Sequence, residues 1–388
     1  MKPANALVAH GGGPTSVLNA TLAGVVEASR AAGLGRLWAP IGGLAGIDLE
    51  PCLDLLGVSR SKIARGAQQC GSLIGSYRGA VAPALLDRTL EFIRKHEVRY
   101  FLYAGGNGSM GTAFAMAAAA RERGYELATV GIPKTVDNDI CGTDHCPGFG
   151  SAARFVSVSV REMGIDQRAL PTPVSIVEVM GRNAGWLAAS SLLAAEDAED
   201  PPHFIYVPER PFAVAEFLDR VDRLLTRQGW VVGVVAEGLR DSAGRMVAAS
   251  AGASRDARGR PLAGNVAAHL ARLVSKRLNV RARSEKPGLL CRAFSLCQSP
   301  VDAAEARAVG KFAVTAALQG HSGVMVAIRR SSSAAYAFDL TLVPLDQVRD
   351  RERRLPLKYL RGPAGVREAY RDYGAPLIGP ALAPTVRL

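Results

Sequence analysis

Two neighbouring stretches decide how this chain reads: Tyr100-Phe-Leu-Tyr-Ala-Gly-Gly-Asn-Gly-Ser109 and Ala128-Thr-Val-Gly-Ile-Pro-Lys-Thr-Val-Asp-Asn-Asp139. Each opens as a short apolar run that stops at glycine or proline, the pattern of a strand buried on both faces. Between them, the alanine-rich segment from Thr112 to Arg123 predicts a helix. Strand, helix, strand implies a parallel pair with a right-handed crossover. Behind the first strand, glycines leave backbone N–H groups free to converge on an anion where a helix begins. Behind the second, Pro133 stiffens the approach, and Asp137 and Asp139 flank Asn138 within one short turn. Open α/β sheets bind ligands at those carboxyl ends, and a phosphate cradle beside paired carboxylates points to phosphoryl transfer. An Asx turn uses the same residues without any catalysis, so the motif alone leaves both readings open.

The rest of the chain repeats the alternation. Apolar runs at Ala6 to Ala9, Leu37 to Ile41, Val174 to Val179, Phe204 to Val207, Val231 to Ala236 and Val324 to Ile328 predict strands. Helical periodicity covers Val17 to Arg30, Leu85 to His96, a long segment from Ser151 through Met163, Asn265 to Leu278, and Ala303 to Leu318. This order predicts the α/β class with parallel sheets. At 388 residues the chain exceeds one ordinary core, so two domains packed around a cleft are expected. Glycine-bearing loops recur at strand ends: His10 to Ser16, Gly66 to Arg78, Met180 to Trp186, and Glu237-Gly238. Asp241 to Pro261 reads as an exposed excursion without chemistry, and Asp346 to Gly379 as basic helix and loop.

Hydrophobic residues make up 48% and charged residues 21%, the balance of a soluble globular protein. The first residues lack the pattern of a signal peptide, and no run reaches the roughly 18 apolar residues of a membrane span, so a cytoplasmic location without membrane contact is expected. The six cysteines form no CxxC pair and have no histidine at zinc spacing, which favours reduced thiols over a structural metal. A formal net charge of +12 favours anionic partners. The basic residues are dispersed, and the densest cluster, Arg349 to Arg354, is interleaved with Asp350 and Glu352. A solvated helix face explains it better than a nucleic-acid stripe.

Three motifs in order, Gly105 to Ser109, Pro133 to Asp139, and Glu178-Val-Met-Gly-Arg182, resemble the 6-phosphofructokinase family. The resemblance extends over nearly the whole chain. His10 to Ala20, Cys146 to Ala152, Asn183 to Trp186 and the tail around Tyr370 to Gly379 look most like its bacterial pyrophosphate-dependent branch. It implies two similar doubly wound domains, residues 1–145 with about 290–345 for the phosphate donor, and 146–289 with 346–388 for the sugar phosphate. It also implies transfer of phosphate from pyrophosphate to the 1-hydroxyl of fructose 6-phosphate, readily reversible, by a homodimer or homotetramer.

Carried over by position, Asp137 matches the base, Asp139 the second carboxylate of its turn, and Lys134 a cation that neutralises the leaving phosphate. Thr135, Met180, Gly181, Arg182 and Glu237 match substrate contacts, with Arg292 expected at the sugar phosphate. Gly12, Gly13, Arg78, Gly106 and Gly108 match donor-phosphate contacts. The resemblance implies Mg²⁺, with Asn107 where the ATP branch carries an aspartate; an amide brings no charge, so donor phosphates and water would hold most of the ion. Lys134 goes with pyrophosphate, whereas Gly108 offers no side chain to block a nucleotide. An ATP-dependent enzyme and a catalytically weakened sugar-phosphate-binding homologue therefore stand as alternatives.

Overall fold

Apolar runs form the central strands, and more polar segments form the edge strands. In chain order these are β1 (Asn5–His10), β2 (Leu37–Ala39), β3 (Leu53–Asp54), β4 (Val98–Gly105), β5 (Ala128–Pro133), β6 (Val174–Val179), β7 (Phe204–Tyr206), β8 (Val231–Ala236), β9 (Ala282–Glu285), β10 (Val324–Arg330) and β11 (Phe338–Pro344). The computed structural model describes residues 3–48, 52–170, 172–248, 264–331, 336–360 and 365–386. The chain divides into two units, Met1–Gly148 with Pro300–Glu352, and Phe149–Ser299 with Arg353–Leu388. The sequence reading placed these breaks near residues 290 and 346. The observed breaks fall later, because the helix Pro300–Leu318 belongs whole to the first unit and the turn after Val348 stays with it.

The first unit is built on a seven-stranded sheet in the order β11-β10-β5-β4-β1-β2-β3. Its centre is parallel, and the antiparallel pairs β10 with β11 and β2 with β3 lie at its two edges. Parallel strands need cover on both faces, and the buried residues form one apolar cluster on each face. Helices Leu18–Ala31 and Pro300–Leu318 cover one face, and Pro83–Lys95 and Asn107–Glu122 the other. Register places His10 opposite Ala104 and Gly105 opposite Pro133. Three glycine-bearing loops therefore leave the sheet side by side.

The second unit has a parallel four-stranded sheet in the order β7-β8-β6-β9. Val179 pairs with Ala236, so the segments after β6 and β8 also emerge together. The helices Phe149–Ala169, Val214–Gln228 and Val266–Leu278 belong to this unit. Among the described residues no helix is long and apolar enough to cross a membrane, and all six cysteines are free thiols.

Several elements differ from the sequence reading. The helix expected from Thr112 starts at Asn107, because burial of Ser109, Met110 and Ala113 overrides the weak helix preference of Gly108 and Gly111. The segment Arg349 to Arg354 is not a helix: Asp350 has a φ of 61°, Glu352 bridges Ile140, and the Arg353 guanidinium stacks 3.9 Å over Trp186. Most of the 241–261 excursion lies outside the described residues; its start turns back through a bridge between Arg240 and Met246.

Candidate active site

Gly11, at the end of β1, donates its N–H to Ala104 O at 2.8 Å, and Gly12 donates to Tyr77 O at 2.9 Å. These amides fasten the glycine loop to its neighbours, so a phosphate at Gly12 is not received by that residue's own N–H. Gly12 has a φ of 81°, which only glycine adopts cheaply. Gly11 and Gly105 are required for a different reason: a Cβ at either position would stand 2.3 or 2.1 Å from Ser109 Oγ. The sequence reading missed both roles, because a close approach between strand ends leaves no local pattern. Arg78 is exposed just beyond the bridge between Gly11 and Tyr77, which puts it alongside the glycine loop.

Gly106 precedes the helix Asn107–Glu122 in an extended conformation, and no side chain caps that helix. Its first turn, with Gly108 exposed, therefore presents backbone donors and the positive end of a helix dipole. Lys134 lies beside it with 2% of its surface exposed. Its N–H donates to Gly105 O at 3.0 Å, and its Nζ donates to Gly11 O at 2.9 Å and Gly13 O at 2.7 Å. The ammonium thus sits under the glycine loop and ties β5 to β1. His10 is fully buried next to it and accepts or donates at Ser72 Oγ, 2.8 Å away. Burial, helped by the Lys134 charge, lowers its pKa to about 3, so the ring is neutral.

The catalytic-candidate turn is held by its neutral members. Asn138 takes a left-handed φ of 55°, and its Oδ1 accepts the Cys146 N–H at 3.0 Å. Thr135 Oγ1 accepts the Asp137 N–H at 3.1 Å, while the Thr135 N–H donates to Pro147 O at 3.2 Å. Asp139 accepts from Asn107 Nδ2 at 2.9 Å. Burial, with Glu352 nearby, raises its carboxyl above the usual range. Asn107 Oδ1 is buried and has no partner among the described residues. The donor-phosphate candidates Gly12, Gly13, Arg78, Gly106 and Gly108, the catalytic candidates Lys134, Asp137 and Asp139, Asn107, and one substrate-contact candidate, Thr135, thus all fall within the first unit.

The remaining candidates fall in the second unit. Met180, Gly181 and Arg182 follow β6, and Glu237 follows β8, its N–H donating to Val179 O at 3.0 Å. Gly181 has a φ of 134°, and a Cβ there would meet Ala184 O at 2.5 Å. A Cβ on Gly238 would stand 1.8 Å from Arg182 O, so the two loops pack backbone to backbone. Arg292 ends a short 3₁₀ turn, Gly288–Arg292, away from these strand ends in sequence.

Glycine loops, an uncapped helix start, a buried lysine and adjacent aspartates at parallel strand ends define an α/β phosphoryl-transfer class. Residues 5–317 match the family model described as Phosphofructokinase, and the chain belongs to that family. It is 41% identical over 387 residues to pyrophosphate–fructose 6-phosphate 1-phosphotransferase of Xanthomonas campestris pv. campestris (strain B100), covering 97% of this chain and 92% of that one. It is 35% identical to a sulfofructose kinase of Alkalicoccus urumqiensis, covering 94% and 93%. Among solved structures, pyrophosphate-dependent phosphofructokinase from Marinobacter aquaeolei superposes with a TM-score of 0.86 at 33% identity, covering 99% of this chain and 94% of that one.

Proposed function

We propose that this chain transfers a phosphoryl group from pyrophosphate to the 1-hydroxyl of fructose 6-phosphate, giving fructose 1,6-bisphosphate and phosphate. The observation that carries this reading is Lys134, a buried cation fixed under the glycine loop where a leaving phosphate needs charge neutralisation. The named activity of full-length relatives supports it. Asp137 takes the proton of the 1-hydroxyl as its oxygen bonds to phosphorus, and the bridging P–O bond of pyrophosphate breaks. The backbone donors at Gly106 to Gly108, with Arg78 and Lys134, take up the charge on the departing phosphate. Met180, Gly181, Arg182 and Glu237 orient the sugar, with Arg292 toward its 6-phosphate. The first unit accordingly serves the donor and supplies the base and Thr135, and the second carries the other acceptor contacts.

Mg²⁺ fits this reading, since Asn107, bonded through Nδ2 to the Asp139 carboxylate, has an Oδ1 without a partner among the described residues, and the ion usually keeps several waters and substrate phosphates as ligands. When bound it would offset phosphate charge. Exposed Gly108 favours a second reading in which ATP is the donor, because that position offers no side chain to block a nucleotide. A coupled assay of purified protein with fructose 6-phosphate and either donor separates them. Turnover with pyrophosphate alone supports the first reading, and turnover with ATP alone overturns it. Asp137→Ala should lower kcat by at least about 100-fold, the scale of a placed base; an unchanged kcat removes Asp137 from the role.

A further inference from the structure

The turn that carries Asp137 is gripped by the following loop, Thr143 to Gly148, at two points: the Cys146 N–H on Asn138 Oδ1 and Pro147 O on the Thr135 N–H. That loop is in turn fastened from one side of the helix Pro300–Leu318. Asp302, 2% exposed, accepts the Gly148 N–H at 2.8 Å, and Glu305, 1% exposed and one turn along, bonds His145 Nε2 at 2.8 Å. The second oxygen of Glu305 accepts the Tyr336 hydroxyl. Thr143 Oγ1 donates to His145 O at 2.8 Å and accepts the Ile328 N–H at 2.9 Å, tying the start of the loop to β10.

We infer that Asp302, Glu305, His145 and Tyr336 form a positioning network for the base, and that Glu305 sets the reach of Asp137 through the His145 loop. Buried carboxylates are costly unless fully hydrogen-bonded. Burying two of them on one helix face to hold a single loop is more than that loop's stability requires, since apolar packing would hold it as well. What carboxylates add is directional: each fixes one atom of the loop in place, and the loop holds the Thr135 backbone and the Asn138 side chain on either side of Asp137. The same contact holds the His145 ring, which cannot turn without breaking it. None of these four side chains meets the reacting atoms in this scheme; they act only through the turn.

The inference rests on the proposed phosphoryl transfer, so pyrophosphate-dependent turnover of the unaltered protein is measured first; its absence refutes that reading and not the network. Glu305→Gln keeps the shape but weakens the charged contacts, and Tyr336→Phe removes a single hydroxyl. We expect kcat for both to fall, by about ten- to a hundredfold for Glu305→Gln, the scale of a misplacement of order 1 Å. KM for both substrates should stay within about twofold, because only interactions made in the transition state are lost. In an Asp137→Ala background, Glu305→Gln should have no further effect on kcat. A network that merely stabilises the fold would instead lower Tm and leave kcat of the folded protein unchanged. An unchanged kcat, a KM that rises in step with its fall, or the same fold-loss in the Asp137→Ala background each overturns the inference.

Discussion

Gly108 occupies the first turn of its helix, where a carboxylate suits the dipole. Gly108→Asp should therefore leave Tm nearly unchanged while placing a negative charge where a nucleotide's phosphate chain would run. Any KM for ATP should rise at least about tenfold, since like-charge contacts cost more than the roughly 1.4 kcal/mol that a factor of ten represents. KM for pyrophosphate should change little; equal losses with both donors would refute the steric and charge argument. His10 gives a second test. Its pKa, about 3 when folded against about 6.5 for an unperturbed imidazole, means that between those values the unfolded chain binds a proton that the folded chain does not. Stability is then full above about pH 6.5 and is lost as pH falls toward the folded value, at roughly 1.4 kcal/mol per pH unit. Urea unfolding of the wild type and His10→Gln at about pH 7 and pH 5 should show the wild type losing roughly 2 kcal/mol more. Parallel losses would mean that His10 titrates normally. The residue types of the candidate site were legible in the sequence because Asp, Asn, Lys and Gly cluster behind strands. The grip of Lys134 on Gly11 and Gly13, and that of Glu305 on His145, was not. Both join residues more than a hundred positions apart, which no local spacing records.

At the scale of elements, the helices Leu18–Ala31 and Pro300–Leu318 cross with glycine against backbone. A Cβ at Gly24 would fall 2.1 Å from Arg307 O, and one at Gly310 would fall 2.2 Å from Thr21 O. Neither neighbour is a side chain that can swing aside. Gly24→Ala should cost about 1–3 kcal/mol by overpacking, even after the roughly 1 kcal/mol that alanine gains in helix preference. Because Pro300–Leu318 also carries Asp302 and Glu305, kcat should fall with Tm. A stabilised Gly24→Ala would show that the crossing has slack. Central strands such as β6 and β8 were legible residue for residue, β8 because burial on both faces gives an unbroken apolar run and β6 because four of its residues are apolar and β-branched. The missed elements lie where burial is partial. Val214–Gln228 buries only Phe217 and Val221, β9 is the charged edge Ala-Arg-Ser-Glu, and β11 is an edge strand in which Val343 alone is buried. Edge and surface elements need only a narrow apolar stripe, so their sequences are dominated by solvent.

For the whole molecule, the formal charge of +12 suits phosphate-bearing ligands without naming which surface receives them. Under the proposed function, the donor-phosphate candidates fall in the unit of β1, β4 and β5, which also holds Asp137 and Thr135, and the other sugar-phosphate candidates fall in the unit of β6 and β8. Ligands that bind only the folded state stabilise it by mass action, by about 3 kcal/mol at a hundred times Kd. That gain should appear as slowed hydrogen exchange where the ligand is held. Pyrophosphate alone should protect Gly11 to Gly13, Ser76 to Arg78 and Gly105 to Ser109. Fructose 6-phosphate alone should protect Met180 to Arg182 and Glu237 to Gly238, and leave the glycine loop of β1 exchanging as before. Because Gly11 and Gly12 already donate to Ala104 and Tyr77, their protection by pyrophosphate reports tightening of those bonds and not new contacts to phosphate. Protection of Met180 to Arg182 by pyrophosphate alone, or of Gly105 to Ser109 by the sugar phosphate alone, would contradict the assignment of donor and acceptor to separate units.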